Sequence, residues 1–326
     1  MQYFRTFAPQ KTNDMKQKRI LITGASGFIG SFLCEEAVRR GYDTWAAMRT
    51  HSSKKWLQLP ELHFITLDMT DKNALLDQLK GQSFDIVVHA AGATKCLNRE
   101  EFDLHNFQCT KNLVEAMDEL GQMPQQFIYM SSLSAIYGST YGESKLKTEE
   151  WLKHKAIPLA IFRPTGVYGP REKDYMMMAE SISNHVDFAV GLKEQKLTFV
   201  YVRDLVGAIF AAIDKGITDG STFNVTDGQV YSSREFSDLI QKELGVKHVF
   251  HITAPLWLLK VISVVSEQWG KLMGKPSTLN RDKYKIMAQR DWTCDIEPLL
   301  NTLEYHPQWQ LERGVKETIA WWKENK

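Results

Sequence analysis

The sequence predicts an α/β fold, a doubly wound parallel sheet followed by a smaller, helix-rich C-terminal part. Three observations carry this. Short apolar runs alternate with helix-like runs through the first half of the chain. One such run, residues 84–91, is apolar enough to be buried on both faces, as a strand inside a parallel sheet is. The first strand-like run is joined to the first helix-like run by Gly24-Ala25-Ser26-Gly27-Phe28-Ile29-Gly30. Three glycines at that junction suit a tight turn, a close backbone approach to a phosphate, and close helix–strand packing.

Residues 19–23 read as the first strand and residues 31–38 as the helix after the glycine turn. That helix N-terminus offers unpaired N–H groups and a positive dipole end to an anion. Residues 43–49, 63–68 and 84–91 read as strands two to four. A long helix follows at about 101–120, then strand five at 126–132 and strand six at 159–163. Crossover helices between strands make the sheet parallel. Beyond Pro170 the rhythm breaks. Residues 173–195 look Met-rich and irregular. Residues 197–213 read as a strand and helix returning to the sheet, and from about 226 the chain is helix-rich. The expected organisation is a flexible leader at 1–18, one domain of 19–172 with about 196–225, and a second of 173–195 with about 226–326.

The chain has 326 residues, 43% of them hydrophobic, and a formal net charge of +1. A core of good size follows, and a nucleic-acid partner is disfavoured because phosphate contacts need a basic excess. Cys34, Cys96, Cys109 and Cys294 are widely spaced, so neither a metal site nor a redox pair is expected. Packed thiols suit a reducing compartment, and a cytoplasmic location is expected. Residues 254–265 form the most apolar stretch of the second half, too short for a bilayer span of roughly 20 residues. A core helix is the first expectation for it. The alternative is a lipid-facing lid, or a helix in peripheral contact with a membrane surface.

In a dinucleotide-binding sheet the end of strand two reads the ribose 2′ position. Here it carries Arg49, followed by Thr50, Ser52, Ser53, Lys54 and Lys55 with no acid. Cations and hydroxyls suit a 2′-phosphate, so NADP(H) is favoured and NAD(H) is the alternative. Asp68 at the end of strand three suits the adenine amino group, or caps the next helix.

Several motifs occur in order: Thr23-Gly24-Ala25-Ser26-Gly27-Phe28-Ile29-Gly30, His89-Ala90-Ala91-Gly92, Asn106, Ser131-Ser132, Tyr141-Gly142-Glu143-Ser144-Lys145 and Arg163-Pro164-Thr165-Gly166-Val167-Tyr168-Gly169-Pro170. Together they resemble the extended short-chain dehydrogenase/reductase family, of the NAD-dependent epimerase/dehydratase type. The resemblance runs from Arg19 to the C-terminus and implies a Rossmann domain with a substrate domain. It implies cofactor contacts from Gly24, Ser26, Gly27, Phe28, Ile29, Gly30, Arg49, Asp68, Met69, Ala90, Ala91, Gly92, Asn106, Lys145, Pro164 and Val167. It also implies a homodimer built through the helices at about 101–120 and 142–154.

Tyr141 and Lys145 lie four apart, on one helical face. A lysine ammonium near a phenol favours phenolate, so Lys145 is expected to lower the Tyr141 pKa and to hold the nicotinamide ribose. The phenol then exchanges a proton with a substrate oxygen, which Ser132 is implied to hold as well. One departure from the family stands out. Only residues 133–140 separate Ser132 from Tyr141, where relatives have a longer, pocket-building loop. Either the pocket is unusually open or a mobile loop lies outside this sequence.

Asp291-Trp292-Thr293-Cys294-Asp295 and Leu303-Glu304-Tyr305-His306-Pro307, with Gly314 and Trp321-Trp322, resemble the tail of the 3β-hydroxysteroid and sterol dehydrogenase branch. Similar tails occur in sugar-nucleotide epimerases and flavonoid reductases. Met176-Met177-Met178 is read as pocket lining or plain packing, and Arg203 as an anion ligand or an Arg–Asp pair. The expected function is hydride transfer between a secondary alcohol and a ketone on a hydrophobic, steroid-like or lipid-like substrate. A nucleotide-sugar epimerase or dehydratase, and a non-catalytic dinucleotide-binding scaffold, are the alternatives.

Overall fold

The computed structural model describes residues 17–273, 277 and 279–326, so nearly all of the expected leader at 1–18 lies outside the described residues. The chain runs β1 (Arg19–Thr23), α1 (Phe28–Arg39), β2 (Asp43–Met48), β3 (His63–Thr66), α2 (Lys72–Leu79), β4 (Ile86–His89) and α3 (Arg99–Phe102). A π-helical turn, Asp103–Gln108, leads into α4 (Cys109–Glu119) and β5 (Gln126–Met130). A 3₁₀ turn, Leu133–Ile136, leads into α5 (Thr140–Lys153) and β6 (Leu159–Pro164). Then come β7 (Gly166–Tyr168), α6 (Lys173–Ser183), β8 (Val186–Val190), β9 (Phe199–Tyr201), α7 (Val202–Asp214) and β10 (Asp219–Val225). The rest is α8 (Glu235–Leu244), β11 (Phe250–Ala254), α9 (Leu256–Leu272), α10 (Arg281–Ala288), α11 (Glu297–Thr302) and α12 (Leu311–Asn325).

Seven parallel strands form the central sheet in the order β10-β6-β5-β4-β1-β2-β3. The doubly wound α/β architecture expected from the sequence is therefore present. Strand side chains alternate between faces with period two. Ile20, Ile22, Ile86, Val88 and Ile128 enter one apolar cluster, under α1 and α7. Leu21, Val87, Phe127 and Tyr129 enter the other, with Leu113 and Met117 of α4. A third cluster joins Tyr168, Tyr201, Phe236, Leu311 and Val315 outside the sheet. The strand order reverses between β1 and β4, where an open α/β sheet leaves a crevice for a ligand.

Several local expectations are corrected. Residues 173–195 are not irregular: Glu172 caps α6 by accepting from the Tyr175 N–H, and the Met run continues as helix. Residues 197–213 do form strand then helix, but β9 pairs with β7 in a separate two-stranded sheet. The strand that joins the central sheet there is β10, which reads Asp-Gly-Ser-Thr-Phe-Asn-Val and buries only Phe223 and Val225 fully. So polar an edge strand carries little periodic signal. The long helix at 101–120 is broken by the π turn.

From Leu256 on, the apolar stretch at 254–265 belongs to α9, which is not a core helix: Trp257, Val261, Ile262 and Val265 are exposed. Among the described residues no helix is long and apolar enough to cross a membrane.

Candidate active site

The glycine turn builds one wall of the site. Gly24 has φ +67°, and a Cβ there would lie 2.8 Å from the backbone of Ala90 and Ala91. The Gly27 N–H donates to Gly24 O at 2.9 Å and Gly27 caps α1. Gly30 sits hard against the turn, since its Cβ would lie 2.1 Å from Gly24 O. Phe28 and Ile29 turn away and pack against the core.

A cavity of about 490 Å³ opens beside this turn at the β1–β4 crevice. It is lined by Gly24, Ser26, Gly27, Arg49, Asp68, Met69, Ala90, Ala91 and Gly92, all expected cofactor contacts. Exposed Arg49 and its short loop, closed by the Arg49 N–H to Ser52 Oγ bond (3.2 Å), leave the guanidinium at the rim. The neighbouring cations turn to other partners: Lys54 lies over the Phe64 ring and Lys55 over Trp56. Asp68 is not the cap of α2; Asp71 takes that role, accepting from Asn73 and Ala74 N–H. Asp68 instead accepts from Thr70 N–H and hydroxyl at 3.0 and 2.6 Å.

Lys95, Cys96, Glu101, His105 and Cys109 also line the cavity and were not expected from the motifs. Pro164 and Val167 lie in β6 and β7, outside this lining.

At the far end, β4 and α4 are locked together through His89. Its ring lies 2.8 Å from Thr23 Oγ1 and 2.9 Å from Thr110 Oγ1. Burial, and secondarily Lys145, pushes its pKa down to about 3, so the imidazole is neutral. Asn106 sits in the π turn, a device often found at functional sites. Its amide accepts from Ala93 N–H (2.8 Å) and donates to Ala93 O (3.0 Å) and Ser144 Oγ (2.9 Å). Asn106 thus positions the loop after β4 against α5 and does not itself line the cavity.

Helix α5 carries Tyr141 and Lys145. Lys145 is buried, and its ammonium donates to Met130 O at 2.9 Å. A Cβ on Gly92 would lie 3.1 Å from Lys145 Nζ, which places the ammonium at the Gly92 end of the cavity. Ser132 stands close to the Tyr141 hydroxyl. Burial pushes the phenol above its usual value and the neighbouring Ser132 hydroxyl pulls it partly back; Lys145 is not among the causes. The expected lowering by Lys145 is therefore not what this geometry produces. One of the three ammonium N–H groups goes to Met130, and burial keeps the phenol protonated at neutral pH.

The short 133–140 segment closes compactly. Ser132 caps the 3₁₀ turn by accepting from Ser134 N–H at 3.1 Å, and Ser139 caps α5 by accepting from Gly142 N–H at 2.9 Å. Gly142 is required there, because its Cβ would lie 1.9 Å from Ser134 O. Eight residues are enough to bring Ser132 to Tyr141.

Two supports come from outside the Tyr141–Lys145 turn. Buried Glu149 accepts from Ser131 Oγ and from Arg163, whose Nε lies at 2.9 Å, so the strand end bearing Ser131-Ser132 is tied to α5. Asp282 of α10 accepts from the N–H groups of Thr140 and, at 3.3 Å, Tyr141. Beside it Asp174 bridges Lys95 (2.8 Å) and Lys283 (3.3 Å). Arg203 pairs with Glu317 at 3.0 Å, not with Asp204, and so is engaged by α12. The Met run divides: Met178 packs against the third cluster and Met177 is exposed.

Burial holds the Lys145 pKa down to about 8. A free lysine titrates near 10.4. Between about pH 8 and 10.4 the unfolded chain keeps a proton that the folded chain has lost, so the parent gains stability as pH rises through that window. The stability of Lys145→Met relative to the parent is therefore expected to fall between pH 7 and pH 10. Urea unfolding at the two pH values reads this directly. An unchanged difference would mean that the lysine is not held in a desolvated site.

The model of the NAD dependent epimerase/dehydratase family matches residues 20–226. An "uncharacterized UDP-glucose epimerase" of Bacillus subtilis (strain 168) is 27% identical, over 93% of this chain and 97% of that one. A decarboxylating sterol-4-alpha-carboxylate 3-dehydrogenase of Candida albicans is 22% identical, over 94% of this chain and 98% of that one. The crystal structure of a UDP-glucose 4-epimerase from Thermotoga maritima, with UDP-glucose, superposes with a TM-score of 0.76 at 21% identity, covering 94% of this chain and 99% of that one. At that identity it shows the fold alone.

Proposed function

This chain belongs to the NAD dependent epimerase/dehydratase family, as an enzyme of the NAD(P)-dependent dehydrogenase or epimerase type, and from that premise we propose that it interconverts a secondary alcohol and a ketone on a hydrophobic substrate, using NADP(H). The observation that carries the reading is the half-buried Tyr141 beside Ser132, on the helix whose Lys145 reaches the end of the glycine-walled cavity. The cavity fits the cofactor class: Gly24 and Gly30 leave room for no side chain, Arg49 sits at the rim, and Asp68 lies across from it.

When bound, a nicotinamide cofactor supplies or accepts the hydride. The protein moves the proton. A protonated Tyr141 is the acid that a ketone oxygen needs, and the same phenol takes the proton back from an alcohol once ionised. Ser132 orients that oxygen together with Tyr141, and Lys145 holds the ribose beside them. Residues 19–172 with about 196–225 act as the cofactor domain in this reading, and 173–195 with about 226–326 cover the substrate. The protein works in the cytoplasm as a homodimer.

NADP(H) is preferred because Arg49 provides an uncommitted guanidinium where a 2′-phosphate would lie. Loss of one charge-assisted contact of this kind is worth roughly 1.5–3 kcal/mol, or about 10–150-fold in affinity. Arg49→Ala is expected to weaken NADPH binding by that factor and to leave NADH binding nearly unchanged, read by nucleotide fluorescence titration. Failure of the parent protein to bind NADPH removes the reading.

A nucleotide-sugar epimerase is the second reading, favoured by the UDP-glucose epimerase relatives. It needs cations for a diphosphate, and Arg203 is already engaged by Glu317. Tightly held NAD in the purified protein, together with epimerisation of a UDP-sugar, would select it.

A further inference from the structure

We propose that α9 docks this protein on an anionic lipid surface, lying in the plane of the membrane with its outward face buried among the acyl chains. Trp257, Val261, Val265 and Trp269 follow one another at four-residue spacing and all are exposed, Trp257 by 68% and Trp269 by 66%. At about 100° per residue they form one stripe. Leu272 and Ile262 flank it and are exposed too. The opposite side carries Leu259, Ser263 and Gly270, which are buried against the protein. The helix thus holds a stripe of large apolar residues in solvent, while its buried side carries Leu259 beside two small residues.

The occupant follows from charge and aromatic placement. Residues 247–290 contain eight Lys or Arg against two acids, Glu267 and Asp282, while the rest of the chain carries 32 Lys or Arg against 37 acids. A cationic segment inside an otherwise acidic protein complements an anionic headgroup layer. Two copies of the same segment would repel each other, which disfavours self-association through this face. Trp257 and Trp269 stand towards the two ends of the stripe, and indole rings favour the boundary between headgroups and chains. The helix has 17 residues with Lys260 and Glu267 within it, so it suits the interface and not a span.

The placement connects the membrane to the site. Helix α10 packs on α9, through Arg281 and Glu267 (3.8 Å) among others, and its Asp282 caps the helix that carries Tyr141. The surface is argued from exposure and charge alone and holds whichever substrate reading is correct.

The test is co-sedimentation of the full chain with phosphatidylcholine vesicles, with and without phosphatidylglycerol. The protein is expected to pellet with the anionic vesicles, to pellet far less with the neutral ones, and to be released by salt. Trp257→Ser with Trp269→Ser should lower the bound fraction by about tenfold or more, and Lys260→Glu with Lys285→Glu should do so for anionic vesicles. Both pairs are exposed, so unchanged far-UV circular dichroism and NADPH titration should accompany the loss. No pelleting by the parent, or equal pelleting by parent and Trp variant, overturns the proposal. So does a concentration-dependent dimer, seen by light scattering, that the Trp pair abolishes in a protein that ignores vesicles; a second copy would then be the occupant.

Discussion

Replacing Tyr141 by Phe is expected to lower turnover of a ketone substrate by about 10²–10⁴-fold, the span of a positioned general acid, while NADPH binding stays near its parental value. The substitution removes one oxygen from a half-buried ring that packs near Phe102, with ring centroids 6.1 Å apart, and leaves the apolar contact in place. What is lost is the proton and the hydroxyl beside Ser132. The pH profile separates this role from a structural one. Burial raises the phenol's pKa, so the acid form is retained across the neutral range. Reduction should be insensitive to pH there and decline at alkaline pH as the phenol ionises. Tyr141→Phe should lose that alkaline limb as well as the rate. Parental turnover in the variant would remove Tyr141 from the reaction and return the scaffold reading.

The sheet and the glycine turn were legible in the sequence because each rests on a local constraint. A φ of +67° at Gly24 and a backbone contact at Gly30 admit only glycine, and the strands around them are apolar on both faces. The Tyr141–Lys145 spacing is also local, one turn of one helix. What escaped depends on distant partners. Asp282 meets the Tyr141 N–H from 141 residues away, and no pattern near either residue marks the pair. Glu149 looks like an ordinary helical acid until Arg163 and Ser131 close on it.

The direction of the Tyr141 pKa shift escaped for the same reason. Four-residue spacing places Lys145 on the right face, but the burial that raises the phenol comes from the packing around α5, which no spacing in the sequence reports. Helix α9 shows the limit of periodicity most clearly. An apolar stripe is visible in the residues, and nothing in their order says whether it faces the core or the solvent. That depends on which side β11 and α10 leave open.

Gly30→Ala carries the second large effect. The new methyl would sit 2.1 Å from Gly24 O, 2.7 Å from Gly24 C and 2.8 Å from Ala25 Cα, all backbone atoms that cannot rotate away. Either α1 lifts off the turn or the turn unwinds. Overpacking of this kind costs roughly 1–3 kcal/mol, and each kcal/mol is worth about 2–4 °C in melting temperature for a domain of this size. The melting temperature is therefore expected to fall by several degrees. Binding should suffer independently, because the α1 N–H groups that would meet a pyrophosphate move with the helix. Each 1.4 kcal/mol of misplacement raises the dissociation constant about tenfold. Gly81→Ala is the control: its φ is +74° but no atom lies within 4 Å of the added methyl, so only backbone strain remains. That variant should lose stability and keep its NADPH affinity. If Gly30→Ala also binds NADPH like the parent, the pyrophosphate does not rest on this turn, and the cavity between β1 and β4 serves another ligand.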